Sequence, residues 1–255
     1  KLIITLFALL FAPAVSAAAT PNIIVIFTDD MGFADLWCQG QLTDLKTPHI
    51  DRLATEGIRF SHGYVTAPQC VPARAGMVTG RYQQRFGLDE NKFLPLPLGV
   101  TTIADRLKAA GYVTGMVGKW HLAPNAESKK WAEENGKKYK TRSNGRLLIP
   151  IEDQLPFYPR NRGFTETFDG NMNRYWATYS LDGKDLNPQG ERIVDRRYRL
   201  DVQSDAAVTF IKRNHKQPFF LYLPCFAPHL PLEAPKKYLS RFPGKMPERR
   251  RYALA

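Results

Sequence analysis

Five polar side chains suited to bond-breaking chemistry stand at the ends of apolar runs. Asp29 and Asp30 close "PNIIVIFTDDMG", Lys119 and His121 close "GYVTGMVGKWH", and His229 closes "PFFLYLPCFAPH". Adjacent carboxylates repel unless a cation or hydrogen-bond donors offset them. A hard divalent ion with oxygen ligands, calcium or magnesium, is the natural resident of such a pair; a turn or capping role is the alternative, since Asp is common where strands give way to loops. Cys70, in "APQCVPARAGMVTGR", lies two residues before Pro72 and four before Arg74. Pro72 suits the first turn of a helix, whose amide donors and positive end favour an anionic or strongly polarised group. Arg74 adds a fixed cation one turn on. Taken literally, Cys70 is either a low-pKa thiolate nucleophile or a small buried residue at a tight turn.

The elements that must position these groups alternate between helix and strand. The β-branched run from Ile23 to Phe27 shows no polar alternation and reads as a buried parallel strand. "TPHIDRLATEGIRF" follows as a helix stopped by Gly57, and "FSHGYV" reads as strand-like. A helix from Thr102 to Ala110 precedes a strand from Tyr112 to Val117. A helix ending near Arg213 precedes a strand from Phe219 to Leu223. This order predicts an α/β fold with a mainly parallel sheet. Ligands of such sheets gather outside the carboxyl ends of the strands, so two acids, an ammonium and two imidazoles are expected along one rim. Residues 125–160 are lysine-rich and then proline-rich, an excursion from the sheet whose simplest reading is a solvated surface loop and whose sharper one is a substrate-facing insertion.

The 255 residues, 44% of them hydrophobic, suffice for a substantial core. A formal charge of +12 suits nucleic acid, an anionic membrane or an acidic polysaccharide. The opening "KLIITLFALLFAPAVSAAAT" has a basic first residue, an apolar run, a proline and small residues, the pattern of a secretory signal over residues 1–19 with cleavage near Ala17. Its apolar part is too short for a stable membrane span. Export to a periplasmic or extracellular location argues against a nucleic-acid partner, as does the scatter of the basic residues through loops. Cys38, Cys70 and Cys225 are too few for a disulfide framework and odd in number, and a bare thiol is awkward in an oxidising compartment.

"CVPAR" followed by "AGMVTGR" resembles the signature of the type I sulfatases, in which the cysteine before x-P-x-R is oxidised to formylglycine. "PNIIVIFTDDMGFADL", "TPHIDRLATEGIRF", "GYVTGMVGKWHL", "RGFTETFDG" and "PFFLYLPCFAPHLPLEAPKKYL" are similar to family segments, in family order, across nearly the whole chain after the signal. The resemblance implies an alkaline-phosphatase-like α/β/α sandwich with a mainly parallel, mixed central sheet. It implies that Cys70 is the formylglycine precursor and that Asp29, Asp30 and the oxidised residue 70 bind Ca2+, or Mg2+ in its place. Arg74 and Lys119 would hold formylglycine and the sulfate charge, His121 would orient the hydrate, and His229 would contact sulfate and assist the leaving oxygen. One hydroxyl of the hydrate would attack sulfur and the other would allow sulfate to be expelled. The implied activity is sulfuric ester hydrolysis of a sulfated carbohydrate or aryl sulfate, after processing by a formylglycine-generating maturation enzyme. Two other readings are a phosphonate or phosphate monoester hydrolase of the same superfamily and a non-catalytic relative that binds anionic glycans. Position 73 is alanine where many relatives have serine, which leaves x-P-x-R intact. The family's further Asp-Asn pair and additional lysine, from a later strand, do not appear before "ERRRYALA". Residues 20–255 are therefore expected to be the N-terminal portion of a sulfatase catalytic domain, truncated before its C-terminal part and with little activity alone.

Overall fold

The last strand in the chain sits between the first two. In the computed structural model, which describes residues 20–41, 44–91, 94–170, 172–242 and 247–255, six strands form one sheet. They are β1 (Ile23–Asp29), β2 (Val113–Gly118), β3 (Glu166–Gly170), β4 (Arg174–Ala177), β5 (Glu191–Val194) and β6 (Phe219–Pro228), in the spatial order β1-β6-β2-β3-β4-β5. The first four in that order run parallel, and β4 and β5 pair antiparallel as an edge hairpin. The signal read over residues 1–19 lies outside the described residues.

The near-continuous apolar run "FFLYL" suits β6 for its central place, because a strand covered on both faces has no solvent side to keep polar. Phe220 and Tyr222 face one layer with Val71, Ala75, Val78, Ala104 and Trp120; Phe219 and Leu221 face the other with Val202, Ala206 and Phe210. The first layer carries α2 (Cys70–Thr79) and α3 (Ile103–Ala109), the second α6 (Arg199–Asn214), with α1 (Pro48–Glu56), α4 (Lys129–Glu134) and α5 (Ile151–Gln154) filling the order between them. The result is the expected α/β/α sandwich with a mixed, mostly parallel sheet.

The structure corrects several expectations. "FSHGYV" forms no strand: the chain turns at Ser61 and His62, and Phe60, Tyr64 and Val65 are exposed. The first strand is not buried on both faces, since Ile24 and Ile26 are 47% and 59% exposed, lining an apolar groove of about 610 Å³ with Val208, Ile211 and Leu223. The 125–160 excursion is no bare solvated loop. Trp131 packs edge-on to Phe157 and stacks with Tyr139, around Leu147, and gives the segment a small core of its own.

Candidate active site

β1 ends in a bulge between Phe27 and Asp29, and Asp29 comes into register with Pro228 of β6. At the end of β2, Gly118 adopts φ +122°, and a Cβ there would meet the Pro224 carbonyl oxygen at 2.3 Å. Only glycine fits this close passage, which lets the Lys119 amide donate to that same carbonyl at 2.8 Å. Lys119 is thereby pinned beside β6 and aimed at β1. Two non-glycine residues among those described have positive φ, Asp30 at 62° and His121 at 60°. Both lie on this rim, and such backbone, costing about 1 kcal/mol or more, clusters where surrounding structure holds functional groups in place.

α2 supplies the other side. Its ten residues begin at Cys70 with Pro72 in the first turn, and the Val71 amide is capped by Asn91 Oδ1 at 2.9 Å. Cys70 and Arg74, four apart, share a helical face. Gly76 allows the helix to press against the loop before it, since a Cβ there would sit 2.2 Å from Thr66 Oγ1.

These elements bring the predicted groups into contact. Lys119 Nζ lies 2.5 Å from Asp29 Oδ2, Arg74 Nη2 lies 3.4 Å from the same oxygen, and the Cys70 thiol donates to Asp29 Oδ1 at 3.4 Å. Lys119 Nζ is also 3.7 Å from Cys70 Sγ. Asp29, Arg74 and Lys119 are 5%, 1% and 5% exposed, so one buried carboxylate faces two buried cations. Arg74 donates through Nη1 to the Lys119 carbonyl at 2.7 Å, whereas its Nε and Nη2, both buried, close no hydrogen bond of good geometry among the described residues. Phe27 lies under the guanidinium and Phe226 under the ammonium, at 5.7 and 4.9 Å from the ring centres.

His229 accepts no hydrogen at Nδ1: that nitrogen is 2.7 Å from the Leu230 carbonyl, which can only accept, so Nδ1 carries the proton. Nε2 then points toward Asp30 Oδ2 at 3.8 Å. One ligand atom each from Asp29, Cys70 and His229 lies within 4.8 Å of the others. Asp30 is the more exposed of the two strand-end aspartates, 59% at its side chain against 6% for Asp29.

The electrostatics separate the roles. Burial pushes the Asp29 carboxyl up, but the Lys119 hydrogen bond and the Arg74 and Lys119 charges outweigh it and hold it below the usual carboxylate value. Burial pushes the Cys70 thiol up, and Asp29 opposes the two cations that would lower it. The low-pKa thiolate reading of Cys70 is therefore corrected: this sulfur is a poor nucleophile as it stands. None of the three cysteines is in a disulfide.

Burial, reinforced by Lys119 and Arg74, lowers the pKa of His121 to about 4. In the unfolded chain the same imidazole titrates near 6.5. Between 6.5 and about 4 the unfolded state binds the proton first. Stability therefore falls as pH drops through that window, by on the order of 2–3 kcal/mol from this group. His121→Asn, which tolerates left-handed backbone, is expected to lose that part of the pH dependence. Urea midpoints at acid and neutral pH for both chains check this; parallel acid losses would contradict it.

Sequence reasoning missed Asp169, at the carboxyl end of the short strand β3. Its Oδ1 accepts from the Trp120 amide at 3.3 Å and burial pushes its carboxyl up to about 7. The signal was present, an acid before glycine in "TFDG", as in the first strand's "TDDMG".

A sequence model of the sulfatase family matches residues 21–253. An N-acetylgalactosamine-6-O-sulfatase of Bacteroides thetaiotaomicron is 32% identical over 83% of this chain and 48% of its own length. An arylsulfatase of Hemicentrotus pulcherrimus is 34% identical over 80% of this chain and 36% of its own. The chain thus spans half or less of the length of these relatives. The solved structure of Ps i-CgsB superposes with a TM-score of 0.67 at 30% identity, over 92% of this chain and 51% of that one. A structure in complex with D-glucosamine-2-N,6-O-disulfate superposes at 0.61 with 26% identity, over 88% of this chain and 37% of that one. With the family pattern running through almost every described residue and the same sandwich beneath it, the chain belongs to the sulfatase family.

Proposed function

We propose that this chain is the part of an exported sulfuric ester hydrolase that carries the reacting residue, acting on a sulfated carbohydrate. One observation carries the reading. Lys119, Arg74, Asp29 and Cys70 come from three separate elements, yet meet within 3.7 Å, the three charged groups buried. The relatives' activities, on N-acetylgalactosamine 6-sulfate and aryl sulfates by their names, support the substrate class.

Residue 70 is read as a formylglycine precursor, whose CH2SH group a maturation enzyme would convert to an aldehyde with loss of the sulfur, using an external oxidant such as dioxygen. Once formed, that group supplies a doubly hydroxylated carbon, which offers both a nucleophilic oxygen and a way to release sulfate. The donor set fits a hard cation only after this change. As translated, Asp29, Cys70 and His229 are an oxygen, a sulfur and a nitrogen, a mixed set suited to softer metals. With oxygen at position 70, Asp29, Asp30 and residue 70 make an oxygen-rich set suited to Ca2+ or Mg2+. Such an ion would neutralise charge on the sulfate oxygens.

The remaining steps belong to the protein's own side chains. Arg74 and Lys119, buried and fixed, attract the sulfate anion and answer the charge that builds on its oxygens in the transition state. Arg74 still has hydrogens on Nε and Nη2 to give. His121, uncharged at neutral pH, adds no further positive charge and is able to hydrogen-bond residue 70 as a neutral imidazole. His229 is fixed by Leu230 in the tautomer that leaves Nε2 to hold the proton passing to the leaving oxygen, with Asp30 placed to offset an imidazolium.

The discriminating experiment compares 4-nitrophenyl sulfate with 4-nitrophenyl phosphate in the full-length, matured protein. The leaving group is common, so kcat/KM reports on the transferred group alone. The sulfate ester is expected to react faster by about 100-fold. Faster phosphate turnover would replace this reading with a phosphomonoesterase of the same fold, and turnover of neither with a glycan-binding relative.

A further inference from the structure

A second cavity, of about 420 Å³, adjoins the site, with Lys119 and His121 in its wall. Its far side is the β4–β5 hairpin. Trp176 stands opposite Arg192 in that ladder, and Arg174 precedes Trp176 by two residues. Period-two alternation places all three on one face of the hairpin, and all three line the cavity.

The hairpin holds its aromatic rigidly. Trp176 Nε1 donates to the Gln189 carbonyl at 2.9 Å, and the indole meets Tyr158 edge-on at 6.2 Å. Gly190 passes so close that a Cβ would lie 2.3 Å from Trp176 Nε1. By contrast, the two arginines are exposed and unmatched. Neighbouring cations are neutralised, Arg197 by Asp195 and Asp205, Arg213 by Glu166 and Asp185. Arg174 and Arg192 have no ion pair among the described residues. Asp169, paired with Trp176 from the neighbouring strand β3, offers a carboxyl to a hydroxyl group, and Asn125, also in the lining, an amide.

Unpaired guanidinium forks beside a fixed indole suit a sugar that itself carries an anion. The planar fork matches carboxylate or sulfate oxygens in pairs, and the indole presents a flat apolar face to the C–H side of a ring. The volume suits a ligand of about one sugar unit with its substituents. Resting on the sulfatase reading for the sulfate beside Lys119, we propose that the β4–β5 hairpin is an anionic-sugar subsite. In it Arg174 and Arg192 take a carboxylate or second sulfate borne next to the scissile ester, against Trp176. A polyanionic glycan, and not a simple aryl sulfate, is then the preferred substrate.

The test uses the full-length protein carrying Cys70→Ala, which cannot mature and so binds without turnover. Calorimetry compares three probes: N-acetylgalactosamine 6-sulfate, its 4,6-disulfate, and the disaccharide joining a hexuronate to the 6-sulfated sugar. At least one doubly anionic probe is expected to bind about tenfold tighter than the monosulfated sugar. Gain with the hexuronate alone identifies a carboxylate, and gain with the disulfate alone a second sulfate. Adding R174Q and R192Q is expected to abolish the gain, and the lysine pair R174K and R192K to restore part of it, because charge returns without the fork. No gain in the parent, or a gain that survives both glutamines, overturns the proposal. Turnover of 4-nitrophenyl sulfate by matured wild-type protein is read separately: its absence with the gain intact sinks the sulfatase reading and leaves the subsite standing.

Discussion

Cys70→Ala in the full-length protein is expected to lower kcat for an aryl sulfate by about 10⁴-fold or more relative to the matured parent, the scale on which removing a nucleophile acts. Cys70 Sγ is the atom that Asp29 and Lys119 both approach, at 3.4 and 3.7 Å, so alanine leaves two buried charged groups facing an inert methyl. Cys70→Ser should behave differently. A hydroxyl keeps an oxygen able to accept sulfate but has no second hydroxyl through which to release it, so a burst of about one equivalent of phenol should precede a stall. Steady turnover by the alanine chain at more than about a tenth of the parent rate would remove residue 70 from the chemistry.

The second large effect is on stability. In the chain kept free of divalent ions, Asp29→Asn is expected to reduce the free energy of unfolding by about 3–5 kcal/mol, because Arg74 and Lys119 remain buried without their countercharge. Lys119→Met should cost less, since Arg74 still stands 3.4 Å from the carboxylate. The carboxylate is already held below its usual pKa against its burial, which marks net stabilisation of its charged form. Urea denaturation at neutral pH measures both. If the asparagine chain unfolds within about 1 kcal/mol of the parent, the trio is not a coupled buried cluster.

The strand ends carry most of what the sequence made legible. An apolar run that stops abruptly at Asp29, at Lys119 or before His229 is visible without coordinates, because a buried parallel strand leaves no polar position until it leaves the core. Which of those ends are neighbours along the shared rim was not visible. β6 lies 197 residues along from Asn22, whose side chain accepts from the Phe219 amide, and nothing local in either segment specifies that pairing. The same limit hid the edge hairpin. "RYWA" and "ERIV" are only four residues each and, at the margin of the sheet, need no continuous apolar run, and the interior "ETFDG" before them is too short to show one. Asp169 and the Arg174–Trp176–Arg192 face were hidden with it. The false strand at "FSHGYV" fails for the converse reason, aromatic and β-branched residues with no partner strand in the sheet.

Every catalytic role proposed for these side chains depends on the conversion of residue 70, and peptide mass spectrometry reads that directly. In protein produced together with a formylglycine-generating enzyme, the tryptic peptide "FSHGYVTAPQCVPAR" should show the mass decrease of a CH2SH group replaced by CHO, and should resist thiol alkylation. A full complement of alkylatable thiol at residue 70 in that material would contradict it.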